Sequence, residues 1–128
     1  KYPVMPKKIL IVFGTRPEAI KLSLLIKKLS NDKRFDVKVC ITAQHREMLD
    51  DVLEIFKIKP DYDLNIMKSG IDLNNTAAKI LTGLNIILDQ FKPDIVLIQG
   101  DTTTVLAASF IESVSILLPT DTNLSFKF

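Results

Sequence analysis

The sequence predicts an α/β fold, a parallel sheet with helices on both faces. Short continuous apolar runs recur along the chain, each run leads into a stretch of helical spacing, and the two kinds of segment alternate. Strands that alternate with helices select right-handed crossovers and a sheet covered on both sides, a Rossmann-like half.

Ile9-Leu10-Ile11-Val12-Phe13 is β-branched, continuously apolar and closed by Gly14, as expected of a central strand buried on both faces. From Pro17 the spacing becomes helical, with Ile20, Leu24, Leu25 and Leu29 expected on the inward face and lysines gathered toward the C-terminal end. A second unit repeats this order. Residues 37–41 read as a strand and residues 47–56 as a helix carrying Met48, Leu49, Val52, Leu53 and Phe56 inward. Pro60-Asp61-Tyr62-Asp63 marks a turn, and Leu64-Asn65-Ile66-Met67 is the expected third strand. Residues 73–91 fit one long helix, Lys92-Pro93-Asp94 breaks it, and Ile95-Val96-Leu97-Ile98 is a fourth strand. Residues 102–112 then resume helical spacing. The expected strand order is 3-2-1-4, with residues 114–118 available as a fifth strand.

Composition narrows the function classes. At 47% hydrophobic and 25% charged over 128 residues, the chain is too apolar for disorder and of a size for one core. A net charge of +2, with 6 Pro and 4 Gly scattered, disfavours a collagen-like, low-complexity or polybasic nucleic-acid-binding chain. The run after Lys7-Lys8 stops at Gly14, too soon for a membrane span. Cys40 is the one cysteine, so no intrachain disulfide forms, and with only His45 beside it no zinc site is expected. A cytoplasmic, metal-free and cofactor-free domain is the expectation. Residues 1–8 are expected to be a disordered or appended leader, 9–118 the Rossmann-like domain and 119–128 a divergent tail.

In such a sheet, ligands lie beyond the carboxyl ends of the strands, which brings Gly14-Thr15-Arg16 and Gly100-Asp101-Thr102 to one crevice. Gly14 lets backbone approach a ligand, the helix start offers N–H groups to a phosphate, and Arg16 adds a forked cation. The turn has one Gly where the dinucleotide fingerprint needs three, and it lacks the Lys-Ser/Thr of a Walker loop. An ordinary strand-to-helix turn with a surface Arg is the alternative. Asp101 suits a general base or a sugar-hydroxyl acceptor, while on the residues alone a helix N-cap is the more common role of such an Asp. Lys21, one turn beyond Pro17, either reaches the crevice or belongs to a solvated lysine face. Gln44, His45 and Arg46 open the second helix at the same edge, where a lone His serves as a ligand contact or a structural hydrogen-bonder. Cys40, inside a strand, reads as an inert core residue.

Four segments in order carry a resemblance: VFGTRPEAIK at 12–21, VCITAQHREMLD at 39–50, PDYDLNIM at 60–67 and FKPDIVLIQGDTTT at 91–104. Together they resemble the non-hydrolysing bacterial UDP-N-acetylglucosamine 2-epimerases over residues 8–112. The resemblance implies the N-terminal half of a glycosyltransferase-B type fold, in an isomerase that interconverts UDP-GlcNAc and UDP-ManNAc. The implied reaction eliminates UDP across C1–C2 to give 2-acetamidoglucal and adds it back with the opposite configuration at C2, without cofactor or metal. By the same resemblance Arg16 and Lys21, with Gly14 and Thr15, sit near the nucleotide sugar, Asp101 takes part in proton transfer, and Gln44 and His45 fall where several members contact an allosteric UDP-GlcNAc. A homodimer is implied for full-length members, and envelope polysaccharide synthesis is the implied setting.

The chain also departs from that pattern. Where the family continues into a HVEAGLRT-like segment with a further catalytic Glu, residues 113–128 read SVSILLPTDTNLSFKF. Ser69-Gly70 stands where some members carry an Arg shortly after the NIM segment. The expectation is therefore an N-terminal fragment, the end of a truncated gene, inactive alone. The alternative is a nucleotide-sugar-binding or oligomerisation remnant without catalysis, or more remotely a regulatory domain.

Overall fold

The apolar run behind Lys7 and Lys8 forms the middle of the sheet in the structure, a computed structural model that describes residues 5–43, 46–66, 73–99, 115–119 and 124–127. In chain order the elements are β1 (Lys7–Phe13), α1 (Arg16–Ser30), β2 (Phe35–Ile41), α2 (Arg46–Ile55), β3 (Tyr62–Asp63), α3 (Leu73–Phe91), β4 (Ile95–Ile98), β5 (Ser115–Pro119) and β6 (Leu124–Lys127). They form one sheet in the order β3-β2-β1-β4-β5-β6. All pairings are parallel except β5 with β6. In register, β1 sets Ile9 against Val37 on one side and Ile95 on the other. The chain is thus a Rossmann-like α/β fold with the expected central order.

Alternation along β1 builds two cores. Ile9, Ile11 and Phe13 pack with Ala19, Leu22 and Ile26 of α1 and Leu49, Val52 and Leu53 of α2. Leu10 and Val12 pack on the opposite face with Ile80, Leu84, Ile87 and Phe91 of α3. Each fully buried side chain of this kind contributes about 1.5–3 kcal/mol of transfer free energy, which explains why an uninterrupted apolar strand takes the centre.

Two Lys-Pro-Asp triplets, Lys59-Pro60-Asp61 and Lys92-Pro93-Asp94, lead into the edge strand β3 and into β4 beside the centre. Asp61 donates its N–H to the Val39 carbonyl at 2.8 Å and accepts the Val39 N–H on Oδ2 at 2.8 Å. Asp94 does the same with Lys8, at 2.8 and 2.9 Å. Proline ahead of each Asp fixes the chain direction into the strand. Lys92, at φ 53°, terminates α3 in the left-handed conformation, with its N–H donating to the Leu88 carbonyl at 2.9 Å.

Several expectations are corrected. The third strand is Tyr62–Asp63, and residues 64–66 of the expected strand lie outside it, because Asp63 Oδ1 accepts the Asn65 N–H at 2.9 Å and Asn65 turns at φ 48°; Met67 lies outside the described residues. Ile20 and Leu24 face solvent, at 44% and 64% exposure, and α1 buries Ala19, Leu22, Ser23 and Ile26 instead. Leu25 and Leu29 keep the half-buried inward place expected of them. Met48 is likewise exposed, whereas Leu49, Val52 and Leu53 are buried as expected. β1 begins at Lys7, whose N–H donates to the Arg34 carbonyl at 2.9 Å beside the Asp94 contacts of Lys8, and residues 124–127 pair as a sixth, antiparallel strand. The helix expected over 102–112 lies outside the described residues.

Candidate functional site

Parallel pairing delivers the ends of β1, β2 and β4 to one edge of the sheet. There the Thr42 N–H donates to the Phe13 carbonyl at 2.9 Å and the Gln99 N–H to the Val12 carbonyl at 3.0 Å. The segments after β2 and β4 therefore leave from positions flanking the turn after β1, the geometry that creates a ligand crevice in this fold.

The turn itself is built by Glu18. Thr15 is extended, at φ −128° and ψ 165°, and its carbonyl accepts the Ala19 N–H at 3.0 Å to begin α1. Glu18 reaches back so that its Oε2 accepts the Gly14 N–H at 2.7 Å and the Thr15 N–H at 2.9 Å. Sequence reasoning offered these N–H groups to a phosphate; at these two positions a carboxylate of the chain already holds them. The missed signal was the Thr15-x-x-Glu18 spacing, in which the acid three residues after the cap folds back on the chain entering the helix.

Arg16 and Lys21 are both exposed. Five residues apart on a helix they are separated by about 140° around its axis, so they do not share one face. Arg16 stays beside the crevice at the first helical position, and Lys21 lies further along. Thr42 is buried with no hydrogen-bond partner for Oγ1 among the described residues, and Ala43, also buried, turns at φ 60°. A left-handed Ala costs about 1–3 kcal/mol, and no feature of the sequence announced it. Asp101, Gln44 and His45 lie outside the described residues.

Cys40 is fully buried, and its thiol is pushed up to about 12, first by burial and then by the negative charge of Asp63. It is no nucleophile, in agreement with its reading as a core residue. Among the described residues no three His, Cys, Asp or Glu side chains gather where they could hold a metal ion, and no helix is long and apolar enough to cross a membrane.

Fold and edge together define a Rossmann-like domain with a cationic turn at the carboxyl end of its central strand. Comparison with known proteins carries this further. Residues 27–115 match the family model described as UDP-N-acetylglucosamine 2-epimerase. The UDP-N-acetylglucosamine 2-epimerase of Escherichia coli (strain K12) is 61% identical over 102 residues, which is 80% of this chain and 27% of that protein. A crystal structure of the UDP-GlcNAc 2-epimerase from Neisseria meningitidis bound to UDP-GlcNAc superposes with a TM-score of 0.78 at 52% identity, covering 87% of this chain and 31% of that one. The Methanocaldococcus jannaschii enzyme in complex with UDP-GlcNAc and UDP gives 0.77 at 33% identity, with 87% and 32% covered. The chain belongs to the UDP-N-acetylglucosamine 2-epimerase family, and it spans between a quarter and a third of the length of these relatives.

Proposed function

We propose that the chain is the amino-terminal, sugar-side unit of a cytoplasmic UDP-GlcNAc 2-epimerase of glycosyltransferase-B type. The observation that carries this reading is the 61% identity over 102 residues to the Escherichia coli enzyme.

In the proposed reaction a base takes the C2 proton, the C1–O bond breaks with its electron pair leaving on the diphosphate, and a C1–C2 double bond forms. Return of UDP to C1 and of a proton to the opposite face of C2 gives the epimer. Asp101 is the proposed base. Arg16 supplies positive charge where the departing diphosphate gains negative charge, a stabilisation that grows toward the transition state, and Lys21, further along α1, is proposed as a second, more distant cation. Gly14 and Thr15 form the floor beneath the diphosphate. Gln44 and His45 are the proposed contacts for a second, regulatory UDP-GlcNAc, and pairing of two copies is proposed for the full-length protein.

A crevice with one wall holds a diphosphate weakly, because water and salt screen exposed cations, and it excludes water poorly. The 128-residue chain alone is therefore expected to bind UDP-GlcNAc weakly and to turn it over little or not at all. Titration of the isotopically labelled chain with UDP-GlcNAc, with NMR following both protein amides and UDP-ManNAc, tests this. Shifts at residues 14–21 and 99–104, with Gln44 and His45 moving as the regulatory contacts, and without product, support the reading. Absence of any shift at this edge at millimolar ligand contradicts it.

A further inference from the structure

We infer that Glu18 is a positioning residue: it supplies the anion around which the turn after β1 is built, so that a bound diphosphate is gripped by the Arg16 side chain and not by the Gly14 and Thr15 amides. The inference rests on the nucleotide-sugar reading of this edge.

One oxygen, Glu18 Oε2, takes both N–H groups, at 2.7 and 2.9 Å. A helix start ordinarily offers such donors to an external anion. Here the anion is three and four residues away in the same chain, so its binding loses little entropy, and a charged acceptor makes each bond stronger than a neutral one would. A diphosphate competing for the same amides would have to expel the carboxylate and then lie beside it, two like charges in one place.

The same two bonds fix Arg16. On its N-terminal side Thr15 is held through its N–H, and on its C-terminal side Pro17 fixes φ. The Arg16 backbone is thereby pinned from both directions, while its side chain is exposed and forms no ion pair among the described residues. A forked cation on a pinned base is preorganised for two phosphate oxygens, and less of its binding is lost to ordering. Glu18 thus acts on the ligand through Arg16.

The test uses the 128-residue chain, UDP as probe, and the variants E18A and E18Q. Amide hydrogen exchange at Gly14 and Thr15 should be slow in the parent, accelerate at least about tenfold in E18A and stay largely slow in E18Q, whose amide oxygen still accepts. On adding UDP the Arg16 Nε–H resonance should shift while the Gly14 and Thr15 amides keep their protection. E18A should reduce that Arg16 shift severalfold at matched UDP, and E18Q should restore most of it, with far-UV circular dichroism unchanged in both variants.

Unchanged exchange in E18A overturns the proposal. So does a UDP-induced change at the Gly14 and Thr15 amides as large as that at Arg16. A parent chain in which UDP moves no resonance, with Glu18-dependent protection intact, overturns the nucleotide reading while supporting the anchoring of the turn.

Discussion

Asp94 and Lys8 exchange two hydrogen bonds across the start of the sheet, N–H to carbonyl at 2.8 Å and N–H to Oδ2 at 2.9 Å, and Asp61 repeats the exchange with Val39. Both Asp residues follow a proline at the entry to a strand, so each clamp sets the register of a neighbour before the ladder begins. Removing the acceptor leaves one strand N–H without its partner. D61A, where the bond is part-buried, is expected to lose about 1–3 kcal/mol, and D94A, where it is exposed, about 0.5–1.5 kcal/mol. Urea denaturation of the two variants against the parent measures both.

Gly83 lies within α3 against Leu64. A Cβ at position 83 would stand 2.5 Å from Leu64 Cδ2, so G83A forces that side chain to move. Ala is favoured over Gly in a helix by about 1 kcal/mol, whereas overpacking costs about 1–3 kcal/mol. The substitution should therefore be neutral to destabilising by up to about 2 kcal/mol in the parent. In an L64A background the same change should stabilise by about 1 kcal/mol. A double-mutant cycle in urea reads the change of sign.

Cys40 gives a pH dependence of known sign. The native thiol, raised from 9.0 to about 12, keeps its proton where the unfolded thiol has lost it. The unfolded state is therefore favoured as pH climbs from about 9 toward 12, and the stability associated with the neutral thiol is complete below that window. Between pH 8 and 10 the parent should lose stability relative to C40A, and its thiol should resist alkylation until the chain is unfolded. Equal slopes of stability against pH for the two chains would contradict the burial argument.

The parts of the fold legible in the sequence are those decided by burial on both faces. The runs at Ile9 to Phe13 and Ile95 to Ile98 have no polar side to place, so the centre of the sheet could be read directly. The inward face of α1 could not, because Ile20, Leu22, Leu24, Leu25, Ile26 and Leu29 surround most of the helix. Close approach to the sheet decided it, through the small Ala19 and through Ser23, whose hydroxyl donates to the Ile20 carbonyl at 2.8 Å and so tolerates burial. The third strand was displaced by an Asp63–Asn65 turn that apolar patterning does not register. At the site, the cationic turn was legible as Gly14-Thr15-Arg16, but the occupation of its amides depended on a side chain folding back from position 18.

The most direct test of the account transplants the chain into a complete enzyme. Residues 7–104, from the start of β1 through the Thr102-Thr103-Thr104 run, would replace the matching part of the Escherichia coli relative. NMR would then follow conversion of UDP-GlcNAc to UDP-ManNAc by the purified chimera. The account predicts conversion, lost by about 100-fold or more in D101N, the range expected for removal of a general base. A folded chimera that binds UDP-GlcNAc without converting it, or one whose D101N variant keeps full activity, would contradict it.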